Sequence, residues 1–157
     1  MKHYLDDEKN PTFEGCESLT DIYAFTGTQA QTFAINNGIN FTQIARVEVN
    51  GKEVKTDVPP IVRNNRVLMP MRAIFESLGA TVEWNGETQT ITAKTDAKNI
   101  VLPLNSNTMT VNNEVKTLDV GTEVIMERTL VPVRAISESI GADVKWDAQR
   151  QTVVVTY

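Results

Sequence analysis

The sequence is poor in the residues on which many enzyme sites depend, with one histidine and one cysteine among 157 residues. A Ser–His or Cys–His nucleophile pair would have to recruit His3 from the start of the printed sequence, and Cys16 has no second cysteine to pair with. Gly-rich phosphate loops, CxxC and HExxH are also missing. Spacing alone leaves paired acids for glycoside hydrolysis open, because two carboxylates need only meet in space. We therefore expect no enzyme, no bound metal and no cofactor.

Long apolar runs and an excess of positive charge are missing as well. Nothing reaches the roughly 18 consecutive apolar residues needed to span a bilayer, and the opening MKHYLDDEKNP lacks the apolar segment of a secretory signal. The 15 basic residues are scattered and outnumbered by 20 acidic ones, giving a formal net charge of -5. We therefore expect no membrane insertion, no signal peptide in the chain as given and no nucleic-acid partner.

What the sequence does contain is a duplication, with copies centred on Pro70–Trp84 and Pro132–Trp146. A shift of 62 residues aligns residues 62–94 with residues 124–156 without a gap, and 15 of these 33 positions are identical. Upstream, VNGKEVKTDV at residues 49–58 matches VNNEVKTLDV with a one-residue slip. Self-similarity at a fixed spacing indicates a structural unit that occurs twice.

Each copy predicts a short helix of about nine residues. Pro70 and Pro132 suit the first helical turn, because proline has a fixed φ and no N–H. The apolar positions share one helical face: Met71, Ile74, Phe75 and Leu78 in the first copy, and Val133, Ile136 and Ile140 in the second, where Ser137 replaces Phe75. Gly79 and Gly141 follow, at the position where a left-handed residue ends a helix.

Hairpins are predicted on both sides of each helix. The opening hairpin turns at Asn50-Gly51 in the first copy and at Asn112-Asn113 in the second. After each helix, apolar and polar residues alternate up to Trp84 or Trp146, and a turn then leads into a returning strand. An isolated unit of this size buries little apolar surface, so the two copies should pack together.

An extra strand is expected between the copies, over Ile100–Leu104, with Pro103 favouring a sheet edge. Its counterpart in the first copy would be Gln31–Ile35. The predicted fold is α/β of the α+β kind, with two tandem repeats of β-hairpin, short helix and β-hairpin packed into one pseudo-symmetric module. The expected divisions are a leader of uncertain order over residues 1–30, a first repeat over 31–96 and a second over 97–157.

The motif LxPxRAIxESxGAxVxW, its preceding VN turn and its following strand resemble the copper amine oxidase N-terminal-like domain over residues 47–157. The repeated signature residues are Pro70, Arg72, Glu76, Gly79 and Trp84, with Pro132, Arg134, Glu138, Gly141 and Trp146 as their equivalents. The resemblance implies a stalk-like module found mostly without the oxidase in secreted or surface-attached bacterial proteins. Copper-dependent amine oxidation itself needs several imidazole ligands, so a chain with one histidine is not expected to perform it.

On this basis the expected function is a noncatalytic interaction, spacer or stalk module of a bacterial exported or cell-surface protein. The expected partners are proteins or cell-wall polysaccharide, and open sheet edges favour self-association without fixing a stoichiometry. The alternative is a carbohydrate- or cell-wall-binding module that uses exposed tryptophans.

Two repeated features are candidate ligand contacts. Arg72 and Arg134 each precede a glutamate by four residues, so a structural ion pair is favoured over a duplicated site for an anion. Trp84 and Trp146 each share a strand face with an inward-pointing valine. Packing in the core is therefore favoured over an exposed platform for sugar rings.

Overall fold

The computed structural model describes residues 2–5 and 18–157. The chain divides into two compact units, Met1–Ala45 and Arg46–Tyr157. Residues 31–45, which were expected in the first repeat, belong to the first unit. The expectation of a leader of uncertain order falls partly on residues 6–17, which lie outside the described residues, as does Cys16.

In its described residues, 2–5 and 18–45, the first unit is a small parallel sheet with one helix. Its elements are β1 (Lys2–Leu5), β2 (Asp21–Ala24), α1 (Gln29–Asn36) and β3 (Asn40–Gln43), and the strand order is β1-β2-β3. The strand expected over Gln31–Ile35 is wrong, because this segment lies in α1. Thr28 caps the helix by accepting a hydrogen bond from the Gln31 backbone N–H at 3.4 Å, and the buried Ala30 and Ala34 lie one turn apart.

The second unit contains the duplication and is mostly β-sheet. Its strands are β4 (Arg46–Val49), β5 (Lys52–Glu53), β6 (Ile61–Arg63), β7 (Arg66–Pro70), β8 (Thr81–Asn85), β9 (Thr90–Lys94), β10 (Asn99–Pro103), β11 (Thr108–Val111), β12 (Glu114–Thr117), β13 (Glu123–Ile125), β14 (Arg128–Pro132), β15 (Asp143–Asp147) and β16 (Thr152–Thr156). Its helices are α2 (Met71–Ser77) and α3 (Val133–Ile140). With three short helices in the described residues, the fold is α+β and dominated by strands.

The local predictions for the two helices are confirmed with one shift. Pro70 and Pro132 are the N-caps and end the preceding strands, so each helix begins one residue later than expected. Gly79 has a φ of 75° and Gly141 a φ of 109°, the left-handed conformation expected at a helix end. In both copies the residue after the glycine donates its N–H to the carbonyl five residues earlier, as in a Schellman motif: Ala80 to Phe75 at 2.9 Å and Ala142 to Ser137 at 3.0 Å.

Two sheets of the second unit contain strands from both copies. One four-stranded sheet has the order β13-β14-β7-β6, so a hairpin from each copy meets at the β14–β7 pair. Another has the order β15-β16-β4-β5, which joins the last hairpin of the second copy to the opening hairpin of the first. Buried residues of both helices, including Phe75 and Ile136, belong to one apolar cluster.

The extra strand β10 is confirmed, but its predicted edge position is wrong. It lies in the middle of the five-stranded sheet β12-β11-β10-β9-β8. Pro103 is tolerated there because the ladder between β10 and β11 covers only Ile100 and Val101, whereas Pro103 pairs with Thr90 on the other side. The Asn99 carbonyl accepts a hydrogen bond from the Asn112 N–H, so the backbone polar groups of Asn99 face β11. Because these groups alternate along a strand, the N–H position of Pro103 also faces β11. The missing N–H therefore removes no described ladder bond.

Candidate functional site

The two tryptophans lie at equivalent places on edge strands. Trp84 is in β8, the edge of the five-stranded sheet, and Trp146 is in β15, the edge of a four-stranded sheet. Each lies directly opposite a buried residue of the adjacent strand, Ile91 or Val153. The indole rings therefore lie on the inward face of each sheet, but at the edge of that face.

Both tryptophan residues are nevertheless exposed, with 45 % of Trp84 and 43 % of Trp146 accessible to solvent. The preference for core packing is therefore wrong. The physical reason is position, because a residue at the end of an edge strand has a neighbouring strand on one side only. Val144, two residues earlier on β15, is buried as expected.

The repeated arginine and glutamate of each helix do meet. Arg134 Nη1 lies 3.3 Å from Glu138 Oε1, and Arg72 Nη1 lies 3.6 Å from Glu76 Oε1. Arg134 also donates to the backbone carbonyl oxygen of Val144 at 3.1 Å, so it ties the start of α3 to β15. For Arg134 this contact supports the structural interpretation, in which the arginine anchors a neighbouring segment.

A reciprocal pair of ion pairs, absent from the sequence predictions, links the copies. Arg66 of the first copy donates from Nε to Asp119 Oδ2 of the second at 3.0 Å. Arg128 of the second copy donates from Nη2 to Asp57 Oδ2 of the first at 2.7 Å. The shift of 62 residues relates both the arginines and the aspartates, so the repeat alignment was the signal that could have revealed these pairs.

The bond from Arg128 lowers the pKa of the Asp57 carboxyl below its ordinary value. A further cross-copy ion pair, between Arg63 and Glu123, has no twin, because the equivalent positions are Ile125 and Ile61.

A shallow groove of about 200 Å³ lies beside one of the reciprocal ion pairs. Its lining includes Arg66, Asp119, Arg134 and Glu138 around the apolar Leu118 and Pro132. Each arginine is within 3.3 Å of a carboxylate oxygen, so the charges of the groove are largely balanced. An anion entering the groove would have to compete with Asp119 and Glu138.

A cluster of charged residues also connects the turn between β15 and β16 with β4, the first strand of the second unit. Arg150 donates to Asp147 Oδ2 from Nε and to Glu48 Oε1 from Nη1, both at 2.7 Å. The bond from Arg150 is the largest cause of the lowered pKa of Asp147, and the hydrogen bond to Asp147 likewise raises the pKa of Arg150. The cluster lies at the turn between β15 and β16 and reaches across to β4.

Comparison of the sequence with models of protein families gives a match over most of the second unit. The family model of the copper amine oxidase N-terminal domain matches residues 48–155. The chain belongs to this family. The match begins in β4 and ends in β16, and thus covers nearly all of the second unit and none of the first. Comparison with curated proteins gives no match.

The copper amine oxidase N-terminal domain is a noncatalytic domain, as the resemblance of the motifs implied. Within the described residues, 2–5 and 18–157, no group of three or more His, Cys, Asp or Glu side chains is arranged to hold a metal ion. These residues therefore do not fit a copper centre, and we assign no copper chemistry to the domain. In the part of the chain that the structure describes, no helix is long and apolar enough to cross a membrane.

Proposed function

We propose that residues 46–157 act as a noncatalytic interaction, spacer or stalk module of a bacterial exported or cell-surface protein. The observation that carries the proposal is the closure of the unit: its opening strand β4 pairs with its final strand β16, and both copies surround one apolar cluster. A closed unit with a shared core suits a rigid module. Membership of a noncatalytic domain family agrees with such a role.

We further propose that the two copies are related by a pseudo-two-fold axis. The support is the register of β14 against β7, in which Leu130 faces Pro70, Val131 faces Met69 and Pro132 faces Leu68. These are equivalent positions of the alignment taken in reverse order. The reciprocal Arg66–Asp119 and Arg128–Asp57 pairs follow the same relation.

The surface location can be tested in the cell that encodes the protein, using the complete gene product. Antibodies raised against residues 46–157 would be applied to intact and to permeabilised cells. We expect intact cells to be labelled as strongly as permeabilised ones, and mild protease treatment of intact cells to remove the signal. Labelling only after permeabilisation would contradict an exported location.

The exposure of Trp84 and Trp146 supports a second candidate, a carbohydrate- or cell-wall-binding module. Indole rings accept sugar rings on their apolar faces while the N–H stays free to donate. Two equivalent rings at strand ends would provide two contact points for a polysaccharide. The two functions are compatible, because a surface module can also bind the wall.

Co-sedimentation with purified peptidoglycan tests the second candidate. The double variant Trp84→Ala/Trp146→Ala should lose binding by at least about tenfold if the rings form the contact. The matched control is Val115→Ala/Val124→Ala, which trims apolar side chains that are 72 % and 55 % exposed. Equal binding by both double variants, or no binding by the parent protein, would remove the tryptophan platform.

Self-association through open sheet edges is a further proposal. Strands β8 and β15 are five residues long, and each is the edge strand of its sheet in the part of the chain that the structure describes. Sedimentation velocity over a range of concentrations should reveal a dimer or a larger species. A constant monomer mass up to high concentration would exclude this mode.

A further inference from the structure

The strands that begin and end the second unit are neighbours in one sheet and run parallel. Strand β4 starts at Arg46, and strand β16 ends one residue before Tyr157. Their register pairs Arg46 with Thr152 and Val49 with Val155, which covers the whole of β4. Both strands are interior, because the sheet order is β15-β16-β4-β5.

This arrangement determines how the unit responds to tension along the chain. A pull on the unit draws β4 from its N-terminal end and β16 from its C-terminal end. Because the strands are parallel, these forces act in opposite directions along the strand axis, and the evenly spaced bonds of a parallel ladder are loaded together. In a hairpin pulled at its open ends, by contrast, the bonds break one after another.

We propose that the β4–β16 pair, which we term the seam, is a mechanical clamp that lets the unit bear tension. The inference rests on the proposed function as a stalk or spacer and specifies its physical task. Resistance to a pull is governed by the rate of unfolding under load. A barrier that requires several bonds to break at once keeps that rate low.

Hydrogen bonds are found along the length of the seam. At one end the Arg46 N–H donates to the Gln151 carbonyl at 2.9 Å. At the other end the Asn50 N–H donates to the Val155 carbonyl at 2.8 Å, and the Tyr157 N–H donates to Asn50 Oδ1 at 2.9 Å. Thus Asn50, in the turn after β4, extends the pairing beyond the last ladder residue.

Side chains reinforce the same pair of strands. Arg150 bridges to Glu48 in the middle of β4 at 2.7 Å. Val47 and Val49 on β4 and Val153 and Val155 on β16 are all buried in the shared apolar cluster. Since β15 and β5 flank the two strands, water reaches the bonds of the seam less easily than those of an edge.

Pulling direction provides the most direct test. The full chain, with Cys16→Ser, would be stretched between a handle at residue 1 and a handle at Tyr157→Cys. A second version would carry the second handle at Gln149→Cys, in the exposed turn before β16, so that the load peels the seam from one end. Release of the 112 residues of Arg46–Tyr157, roughly 370–400 Å of extended chain at about 3.3–3.6 Å per residue, identifies the unit in the first version.

We expect the peak force for the second unit to be at least about twofold higher when the load shears the seam than when it peels it. Equal forces in the two directions would overturn the clamp. The two versions differ at their handle positions, so urea midpoints are measured for both. Equal midpoints exclude a change in stability as the cause of a difference in force. The shorter release from residues 1–45 is separated by its length.

A matched pair of substitutions tests the seam without changing the pulling direction. Asn50→Gly removes the acceptor of the Tyr157 N–H, and glycine tolerates the φ of 51° at that position. Asn112→Gly removes the equivalent acceptor of the Asn99 N–H at a φ of 48°, and also the bond from Asn112 Nδ2 to the Ala97 carbonyl at 3.2 Å, in the pair β10–β11 away from the seam.

Both variants should lower the urea midpoint, Asn112→Gly by at least as much as Asn50→Gly, whereas only Asn50→Gly should lower the shear force. Equal loss of force in the two variants, or none in either, would contradict the clamp. Force measurements on purified protein do not depend on where the protein resides. If the force measurements reveal a clamp but intact cells are not labelled, the proposed location is disproved and the mechanical inference is retained.

Discussion

Met69 of the first copy pairs with Val131 of the second at the centre of the β7–β14 ladder, and the two residues occupy the same position of the repeat. Both are fully buried. The copies thus meet backbone to backbone as well as through side chains. Neither half of this sheet is complete without the other copy.

The replacement of Phe75 by Ser137 leaves a buried hydroxyl without a partner. Ser137 is fully buried, and its Oγ has no hydrogen-bond partner within the part of the chain that the structure describes. Removing an unpaired polar atom relieves its desolvation cost. We expect Ser137→Ala to raise the free energy of unfolding by about 1 kcal/mol, measured by urea denaturation.

Ser139 provides the matched control, because its Oγ donates to the Ile136 carbonyl at 2.6 Å and the residue is also buried. Ser139→Ala should be neutral or destabilising. A loss of stability for Ser137→Ala would show that its hydroxyl is satisfied after all.

The turn between β13 and β14 holds two residues in an unfavourable backbone conformation. Met126 and Glu127 have φ values of 46° and 60°, whereas the equivalent turn uses Asn64 and Asn65, which tolerate such angles. A left-handed conformation costs an ordinary residue about 1–2 kcal/mol. We expect Met126→Asn/Glu127→Gly to raise the free energy of unfolding by about 1–2 kcal/mol.

Thermal and urea unfolding would measure this gain. In the twin turn, Asn65→Gly gives the same Asn-Gly sequence and should change stability by less than about 0.5 kcal/mol, because asparagine already suits the position. Equal effects in the two turns would show that the strain at Met126 and Glu127 is absent.

The arginines of α2 and α3 should differ in how much each contributes to the free energy of unfolding. Arg134→Met removes the bond to the Val144 carbonyl as well as the ion pair with Glu138, and should cost about 1–2 kcal/mol. Arg72→Met removes the exposed ion pair with Glu76 and should cost about 0.5 kcal/mol or less. Equal costs in urea denaturation would contradict an anchoring role specific to Arg134.

The reciprocal ion pairs predict a pH dependence of stability. Arg128 holds the pKa of Asp57 in the folded chain below its ordinary 3.8. A carboxyl group with a lower pKa in the folded state contributes its full stabilisation above the unfolded pKa, and that contribution is lost as the pH falls through the folded pKa. The urea midpoints of the parent protein and Asp57→Asn should therefore differ by a constant amount above about pH 5 and converge at lower pH.

The control for this series is Asp96→Asn, which removes the charge of an exposed aspartate in the turn between β9 and β10. It separates the loss of a particular ion pair from a change in net charge. A difference between the parent protein and Asp57→Asn that stays constant down to pH 2 would contradict the pairing.

Local chemistry explains which parts of the fold the sequence predicts. The proline before each helix, the spacing of apolar residues and the final glycine act within a few residues, and they correctly predict α2 and α3. The turn at Met126-Glu127 was not predicted, because methionine and glutamate are not typical turn residues. The strand assigned to Gln31–Ile35 failed because its apolar spacing is ambiguous and the cap at Thr28 decides for a helix.

Long-range pairing explains most of what the sequence does not predict. Val47 lies beside Val153 although more than 100 residues separate them, and no local pattern specifies that neighbour. The exposure of Trp84 and Trp146 also depends on which strands become sheet edges. The central position of β10 is possible because its ladder with β11 is short and does not include Pro103.

We expect the two copies to unfold as one cooperative unit, and each copy contains one tryptophan that reports its unfolding. Trp146→Phe leaves Trp84 as the reporter of the first copy, and Trp84→Phe leaves Trp146 as the reporter of the second. Adding Ile136→Val, a loss of about 0.5–1.5 kcal/mol in the core of the second copy, should lower the urea midpoint reported by either tryptophan equally, with the same slope. A midpoint that falls for Trp146 but not for Trp84 would show that the copies unfold independently and would contradict the account.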